Sequence, residues 1–486
     1  MITVNTAAPE FICDIGDMLR LFMGDVQIAQ TESEASYLHT VVETGGMITD
    51  RWSHGDAEAE LTLPVPVGSE IEIKRVRKRQ VKMALYALLK KMTGMQPPWG
   101  ALTGIRPTRL LYEAMDTGMQ LPEAMQHVQR EFDVSADRAG LLAEIAEMQA
   151  GIRVPARDSY DLYIGIPFCR TRCSYCSFSS GEIGRNKKLV APYTEALLRE
   201  IALAAELMRE AGLKVRAAYM GGGTPTAIPC GDLERIIAAA REAFPGASEW
   251  TVEAGRPDTI DREKLEMLRR LEISRISVNP QTFNDETLLR IGRAHTGADT
   301  IRAYEMAREL GFDDINMDLI AALPGETPEI FHATLNKVME LNPESVTVHS
   351  LAIKRSSRLH EEMHVSGSGH TQVSAAGAAE MIAHARRELS SAGWKPYYLY
   401  RQKYMAGNLE NVGYAKKGKA CLYNIGNMEE TASVLALGAG AISKWLFDRD
   451  LRIERAPNVK NIEEYIRRVD EMVQRKRELI LPEEKK

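Results

Sequence analysis

The chain has 486 residues, 26% of them charged and 44% hydrophobic, with a formal net charge of −6. That length accommodates two or three domains with a sizeable core, and the balance is that of a soluble globular protein. The acidic excess argues against a nucleic-acid partner, no apolar run approaches the length of a membrane span, and residues 1–10 lack the basic and apolar regions of a secretory leader.

In chain order, residues 57–67 read as extended and partly alternating, and they lead into a basic helix over 73–92. Its run Lys74, Arg75, Arg77, Lys78, Arg79 and Lys82 reads first as a solvated face and second as a contact for an acidic partner. Turn residues follow over 96–107, and the whole predicts a separate N-terminal α+β domain over 1–155. From Tyr160 to Ala352 one unit repeats, a short apolar strand followed by an amphipathic helix. The predicted strands are 161–166, 215–220, 250–254, 275–279, 314–320 and 345–350; the predicted helices include 189–211, 232–243 and 262–271. Leu197, Leu198, Ile201 and Leu203 give the first of these helices an apolar face, and Gly212 and Gly246 mark helix stops. Alternating strands and helices imply right-handed crossovers and a parallel sheet. Six units predict an α/β fold built on a partial (β/α)6 barrel, open on one side, over 156–365. Beyond the turn-like 366–369, a helix over 373–392, an aromatic strand over 394–400, a glycine-rich passage over 436–443 and a charged terminal helix predict a smaller α+β domain over 366–486, with a frayed tail at 482–486.

Half of the six cysteines, Cys169, Cys173 and Cys176, fall within eight residues at C-x3-C-x2-C spacing. Three thiolates hold three irons of a [4Fe-4S] cluster and leave the fourth without a protein ligand, whereas a structural cluster takes four cysteines. An open position on a metal is where a substrate or cofactor binds. Buried unconnected thiols, a zinc site and disulfides are the rival readings. Zinc sites pair two C-x2-C halves or add histidines, yet no histidine lies between Phe168 and Ser180, and Cys230 and Cys421 stand alone. Disulfides need an oxidising compartment. Reduced thiols and an oxygen-sensitive cluster point to the cytoplasm.

Chemistry in such barrels sits at the C-terminal strand ends. The cysteine loop follows the first predicted strand, Gly221-Gly222-Gly223-Thr224-Pro225 the second, Glu253 ends the third, Gln281 follows the fourth, and Asp318 lies near the end of the fifth. A glycine-rich turn alone is weak evidence, and a lone glutamate is more often a surface or capping carboxylate. Their shared location is a stronger signal than any member.

On the stretch from Tyr163 through Ile166-Pro167-Phe168-Cys169 to Tyr175-Cys176, on Gly221–Pro225, and on Asp318-Leu319-Ile320 with Leu323-Pro324-Gly325-Glu326-Thr327, the chain resembles radical S-adenosylmethionine (SAM) enzymes, and among them the oxygen-independent coproporphyrinogen III oxidase group. Residues 103–109 and 400–414 are similar to its HemZ-type coproporphyrinogen dehydrogenase branch. The resemblance implies a [4Fe-4S] cluster on Cys169, Cys173 and Cys176, with SAM chelating the open iron. It implies SAM contacts from Gly222, Gly223 and Thr224, from Glu253 to the amino group, from Arg293 to the carboxylate, and from Gln281 and Asp318 at the ribose. Tyr163 falls at a SAM-proximal tyrosine and Ile320 at an adenine contact; Glu253 and Tyr163 are thereby the candidate catalytic residues. Tyr175, Ala352 and Ile442 match positions near a second SAM, so one or two SAM molecules stay open.

The implied reaction of anaerobic haem biosynthesis is oxidative decarboxylation of two propionates of coproporphyrinogen III, giving protoporphyrinogen IX. It starts from a 5′-deoxyadenosyl radical and needs a reducing donor such as flavodoxin or ferredoxin. Lys354, Arg355 and Arg401 are candidate partners for substrate carboxylates. The pattern departs from characterised oxidases at Phe178, where they carry a fourth cysteine, at Gly165 in place of histidine, and at Asn411-Val412 in place of an aromatic–Gln pair. Haem chaperones, which lack the fourth cysteine, and haem-opening radical methyltransferases share the scaffold and are the alternative functions. Porphyrinogen or haem is the expected substrate or ligand.

Overall fold

The structure, a computed structural model, describes residues 1–24, 26–32, 35–104, 106–354, 356–365, 373–402, 405, 408–447 and 452–481. Arg355, the turn-like 366–369 and the tail 482–486 lie outside the described residues. Two compact units are present, Met1–Ala143 and Glu144–Lys486.

The first unit carries a five-stranded sheet. Ile2–Thr6 lies parallel to Ile28–Gln30 and to Tyr37–Thr44, and Met47–His54 and Ala57–Pro64 follow antiparallel. The long helix Glu70–Thr93 starts at a capping box, Ser69 with Glu72, and stops at Gly94, which takes the left-handed conformation that suits glycine. Its buried side chains Val81, Ala84, Leu85, Leu88 and Leu89 pack with Trp52, Tyr37 and Phe11. The basic run on this helix meets acids of the same unit. Arg77 binds Asp50 through two hydrogen bonds, at 2.7 and 2.9 Å, and Lys78 faces Asp14 at 3.6 Å. Much of its charge is thereby answered locally.

The second unit is built on an eleven-stranded sheet. Ala156–Ile166, Lys214–Gly222, Glu249–Gly255, Arg275–Val278, Ile315–Ala321 and Ser345–Ser350 run parallel in chain order. Helices such as Ile183–Glu210, Cys230–Ala243, Arg262–Arg270 and Pro328–Leu341 connect them. Parallel strands covered on both faces read as near-continuous apolar runs, which is why Leu162, Ile164, Ile166, Ala217, Ala218, Met220, Val252 and Ala254 are all buried. These are the six units of an open (β/α)6 barrel.

Residues after 365 extend both sides of the same sheet. Asn411–Ala415 pairs antiparallel with the sixth strand and with Lys395–Tyr400. Ala432–Leu437 joins the first strand in parallel and is followed by the antiparallel strands Ile442–Phe447 and Arg452–Pro457. Around the N-terminal halves of the strands sit buried ion pairs. Arg275 bridges Glu249 and Asp314, Arg216 holds Asp161 with two bonds, and Cys421 donates its thiol to Glu249 at 3.1 Å. Cys421 is thus used in packing.

Candidate active site

Backbone hydrogen bonds pin the cysteine loop on all sides. The amides of Gly223 and Thr224 donate to the carbonyls of Ile166 and Phe168 at 2.8 and 2.7 Å, Ser174 N–H donates to Ile291 O at 3.0 Å, and Leu359 N–H donates to Ser174 O at 2.9 Å. Cys173 is buried, and Cys169 and Cys176 are half-buried. The glycine turn fits this loop closely. Gly222 holds φ at 110°, and a Cβ on Gly223 would stand 2.5 Å from Phe168 O and 3.0 Å from Cys169 Sγ. Thr224 Oγ1 lies 3.7 Å from the same sulfur.

Arg256, which the sequence did not single out, adds a cation. It is buried, held by Asp258 at 3.0 and 3.1 Å and by Thr171 at 2.9 Å, and places Nη1 3.9 Å from Cys173 Sγ. Burial is the largest influence on the Cys169 and Cys176 thiols and pushes both up, so bare thiols keep their protons and a cationic metal would release them. A cubane takes one thiolate on each of three irons, so its ligands do not meet at one point. Among the described residues no three His, Cys, Asp or Glu side chains do. Three loop thiols, a turn without side chains beside them and a cation against one sulfur fit a [4Fe-4S] cluster and its outer hydrogen bonds.

Glu253, at the end of the third strand, turns its carboxylate over Gly221, where a Cβ would come within 2.9 Å of Oε2. Tyr219 donates its hydroxyl to Glu253 Oε1 at 2.5 Å. Burial raises the Glu253 carboxyl to about 7; the Tyr219 hydrogen bond opposes that rise and the nearby Asp318 charge adds to it. Tyr219 stacks on Tyr423 at 4.6 Å, and both lie against Tyr163 at 6.2–6.4 Å between ring centres. Tyr163 and Tyr219 are register partners on neighbouring strands, so strand alternation puts them on one face.

Gln281 adopts φ 66°, and this left-handed turn lets its amide donate to Asp318 O at 2.9 Å and its carbonyl accept from Ile320 N at 3.1 Å. Asp318 receives Asn316 Nδ2 at 2.8 Å and stands 3.9 Å from His349 Nε2. Arg293 is buried, and its Nη1 donates to Asn279 O at 2.6 Å. Among the described residues its Nε finds no hydrogen-bond partner. Burial pulls the guanidinium down, but Tyr175 and Cys173 beside it dominate and hold it above its ordinary range. An orphaned, buried donor on a cation next to the cysteine loop fits a ligand carboxylate.

The cysteine loop, Gly222, Gly223, Thr224, Glu253, Gln281, Arg293 and Asp318 therefore stand at or near the C-terminal ends of the parallel strands or in the loops that follow them, with Ile320 buried in the fifth strand and Tyr175 on the loop. Ala352, in a short antiparallel bridge with Met405, lies beyond the sixth strand, whereas Ile442, 48% exposed, opens the strand beyond Ala432–Leu437. These two stand at opposite ends of the parallel run. Arg401 is buried and donates to Asn408 O at 3.1 Å; Lys354 accepts at its carbonyl from Ser357. A Cβ on Gly165 would stand 3.4 Å from Leu437 O and from the Tyr163 ring, an ordinary contact distance. The sequence missed Tyr219 and Arg256. Neither carried a sequence signal: Tyr219 reads as an ordinary strand aromatic, and its pairing with Tyr163 comes from register, while Arg256 is a lone arginine after a strand end.

The sequence model of the radical SAM superfamily matches residues 163–338. The oxygen-independent coproporphyrinogen-III oxidase-like protein HemZ of Bacillus subtilis (strain 168) is 39% identical over 414 residues, 83% of this chain and 81% of that protein. The haem chaperone HemW of the same organism is 34% identical over 195 residues, 40% of this chain and 50% of that protein. The solved structure of coproporphyrinogen III oxidase (HemN) from Escherichia coli, described as a radical SAM enzyme, superposes with a TM-score of 0.53 at 27% identity, covering 68% of this chain and 73% of that one. Among the described residues no helix is long and apolar enough to cross a membrane. Membership implies a [4Fe-4S] cluster and SAM, for which the strand-end residues have the right chemistry. The chain belongs to the radical SAM superfamily, in the family of oxygen-independent coproporphyrinogen III oxidase-like proteins.

Proposed function

We propose that this chain is a radical SAM oxidoreductase that converts propionates of coproporphyrinogen III to vinyls, giving protoporphyrinogen IX. The observation that carries the SAM chemistry is the gathering of three loop thiols, Glu253 and the orphaned Nε of Arg293 at one end of the barrel. Likeness to HemZ over most of both chains supports the substrate class. In this reading Cys169, Cys173 and Cys176 hold the cluster. When bound, cluster and SAM together supply a 5′-deoxyadenosyl radical, able to take hydrogen from an unactivated carbon.

The protein's part is to bind and orient. Arg293 Nε offers a charge-assisted hydrogen bond to the SAM carboxylate. Glu253, once ionised, meets the ammonium, and Tyr219 fixes the carboxylate that does so. Gln281 and Asp318 serve the ribose, Ile320 the adenine, and Tyr163 closes the tyrosine-lined side. Gly222, Gly223 and Thr224 pack the turn closely against the cysteine loop and offer SAM a backbone contact there. One SAM uses all these groups. Tyr175, Ala352 and Ile442 are the positions for a second, and Lys354 and Arg401 are basic candidates for substrate carboxylates. Electrons come from a reducing protein of the flavodoxin or ferredoxin kind.

A second reading, haem binding without turnover, is favoured by Phe178 at the place of the oxidases' fourth cysteine. Anaerobic reconstitution with iron, sulfide, SAM and dithionite, with coproporphyrinogen III and haem offered separately, separates them by product mass. Stepwise loss of two carbon dioxide units supports the oxidase. Untouched coproporphyrinogen, with haem bound stoichiometrically or methylated and opened, overturns it.

A further inference from the structure

The segment enclosing the cysteines does not share the acidity of the chain. Between Phe168 and Leu189 stand Arg170, Arg172, Arg185, Lys187 and Lys188 against one acid, Glu182. Arg170, Arg185, Lys187 and Lys188 are exposed, whereas Arg172 is half-buried. Arg170 is 56% exposed and Arg185 87%, the latter with only a loose 3.6 Å approach to Glu182. Lys187 and Lys188 are exposed, and among the described residues neither meets a carboxylate. Arg358 and Lys460 add exposed charge; Arg358 bonds the carbonyl of Arg172, and Lys460 shares a cavity wall with it.

On the same segment stands Phe178, two residues past Cys176 and 66% exposed. It lines a cavity of about 470 Å³ together with Arg172, Asn186, Leu189, Lys460 and one acid, Glu463. Arg170 also approaches a carboxylate, that of Asp258, at 3.6 Å, which among the described residues leaves Lys187 and Lys188 as the exposed cations of this segment without one. A single exposed aromatic is ordinary. An exposed aromatic on a segment with an excess of exposed cations, on the loop that carries the thiols, is the pattern of an interface whose partner is acidic.

We infer that the basic surface around Phe178 is the docking site of an acidic one-electron carrier protein, with the ring of Phe178 as its apolar centre. The inference rests on the cluster proposed above, whose three cysteines these cations flank in sequence. Electron transfer weakens steeply with distance, so a donor protein gains by seating over the loop itself. The step is a single electron: the partner is oxidised by one, the cluster is reduced by one, and no bond or proton moves. Opposite charge concentrates the partner at this face and orients it, an effect that salt screens over about 8–10 Å near physiological ionic strength.

The test uses the reconstituted enzyme and oxidised flavodoxin as the acidic probe, with Kd followed by calorimetry from low to high salt. The wild type is expected to bind more weakly as salt rises. R185E/K187E/K188E is expected to weaken binding about tenfold or more at low salt and to flatten that dependence. Phe178→Ala, which leaves charge unchanged, is expected to weaken binding at every salt concentration. Dithionite-driven SAM cleavage is expected to be unchanged in both variants, while flavodoxin-driven cleavage falls. Wild-type Kd and salt slope in the triple variant overturn the docking site. Failure of the wild type to cleave SAM even with dithionite overturns the cluster reading instead, and the Kd arm still judges the surface.

Discussion

Removing one hydroxyl, in Tyr219→Phe, tests whether Glu253 is tuned for an ammonium ligand. The carboxylate is held to about 7 by burial, against the Tyr219 hydrogen bond of 2.5 Å that favours its ionised form. A hydrogen bond to a charged group contributes about 1.5–3 kcal/mol. At 1.36 kcal/mol per unit, its loss raises the carboxyl by about one to two units. At pH 7 the ionised fraction then falls from about one half to about 1–10%. SAM binding that needs the carboxylate weakens by about five- to fiftyfold at that pH and returns to within about twofold near pH 9.5. Anaerobic calorimetry of SAM binding across this range reads the shift directly. The side chain is stacked on Tyr423, so the phenylalanine ring keeps the packing and isolates the hydroxyl. A variant whose Kd–pH curve superimposes on the wild type refutes the reasoning. A uniform loss at all pH values does so as well, because it marks a packing defect.

Gly223→Ala drives a methyl group into Phe168 O and Cys169 Sγ; cluster content after reconstitution should drop well below the wild type by iron and sulfide assay, with a stability cost of about 1–3 kcal/mol. Glu326 is also raised to about 7, chiefly by burial. A carboxyl raised in the fold stabilises it fully below the unfolded value, and that stability is lost as pH rises through about 7. Glu326→Gln should therefore shrink the fall in Tm between about pH 5 and pH 7.5, and an unchanged fall contradicts the assignment. Lys476 is fully buried on Glu200 at 2.8 Å and on Asn458 at 2.6 Å, and Glu200 also accepts Gly438 N–H at 2.7 Å. Lys476→Met strands that carboxylate and should cost about 3–5 kcal/mol in chemical denaturation, with part recovered in E200Q/K476M.

The six parallel strands were legible because a strand buried on both faces leaves an apolar run between helices, and each observed strand overlaps its predicted span. The cysteine loop and Glu253 were legible from position at strand ends. What could not be read is what depends on register and distance. Tyr219 looks like any strand aromatic until Glu253 is seen 2.5 Å from its hydroxyl. Arg256 acquires meaning only when Asp258 and Thr171 turn it toward Cys173. The antiparallel strands after 365 alternate too weakly in sequence to reveal that they continue the barrel sheet on both sides. The basic helix of the first unit illustrates the converse, since its charge was plain in sequence but its local acid partners, Asp50 and Asp14, lie far along the chain.

The central claim is that three thiols on one loop hold a cluster that cleaves SAM. The direct measurement is anaerobic 5′-deoxyadenosine formation under dithionite, with iron content, in wild type and Cys173→Ala. The account predicts product from the wild type and none from the variant, whose iron content falls with it. A variant that retains a full cluster and forms 5′-deoxyadenosine at the wild-type rate contradicts it.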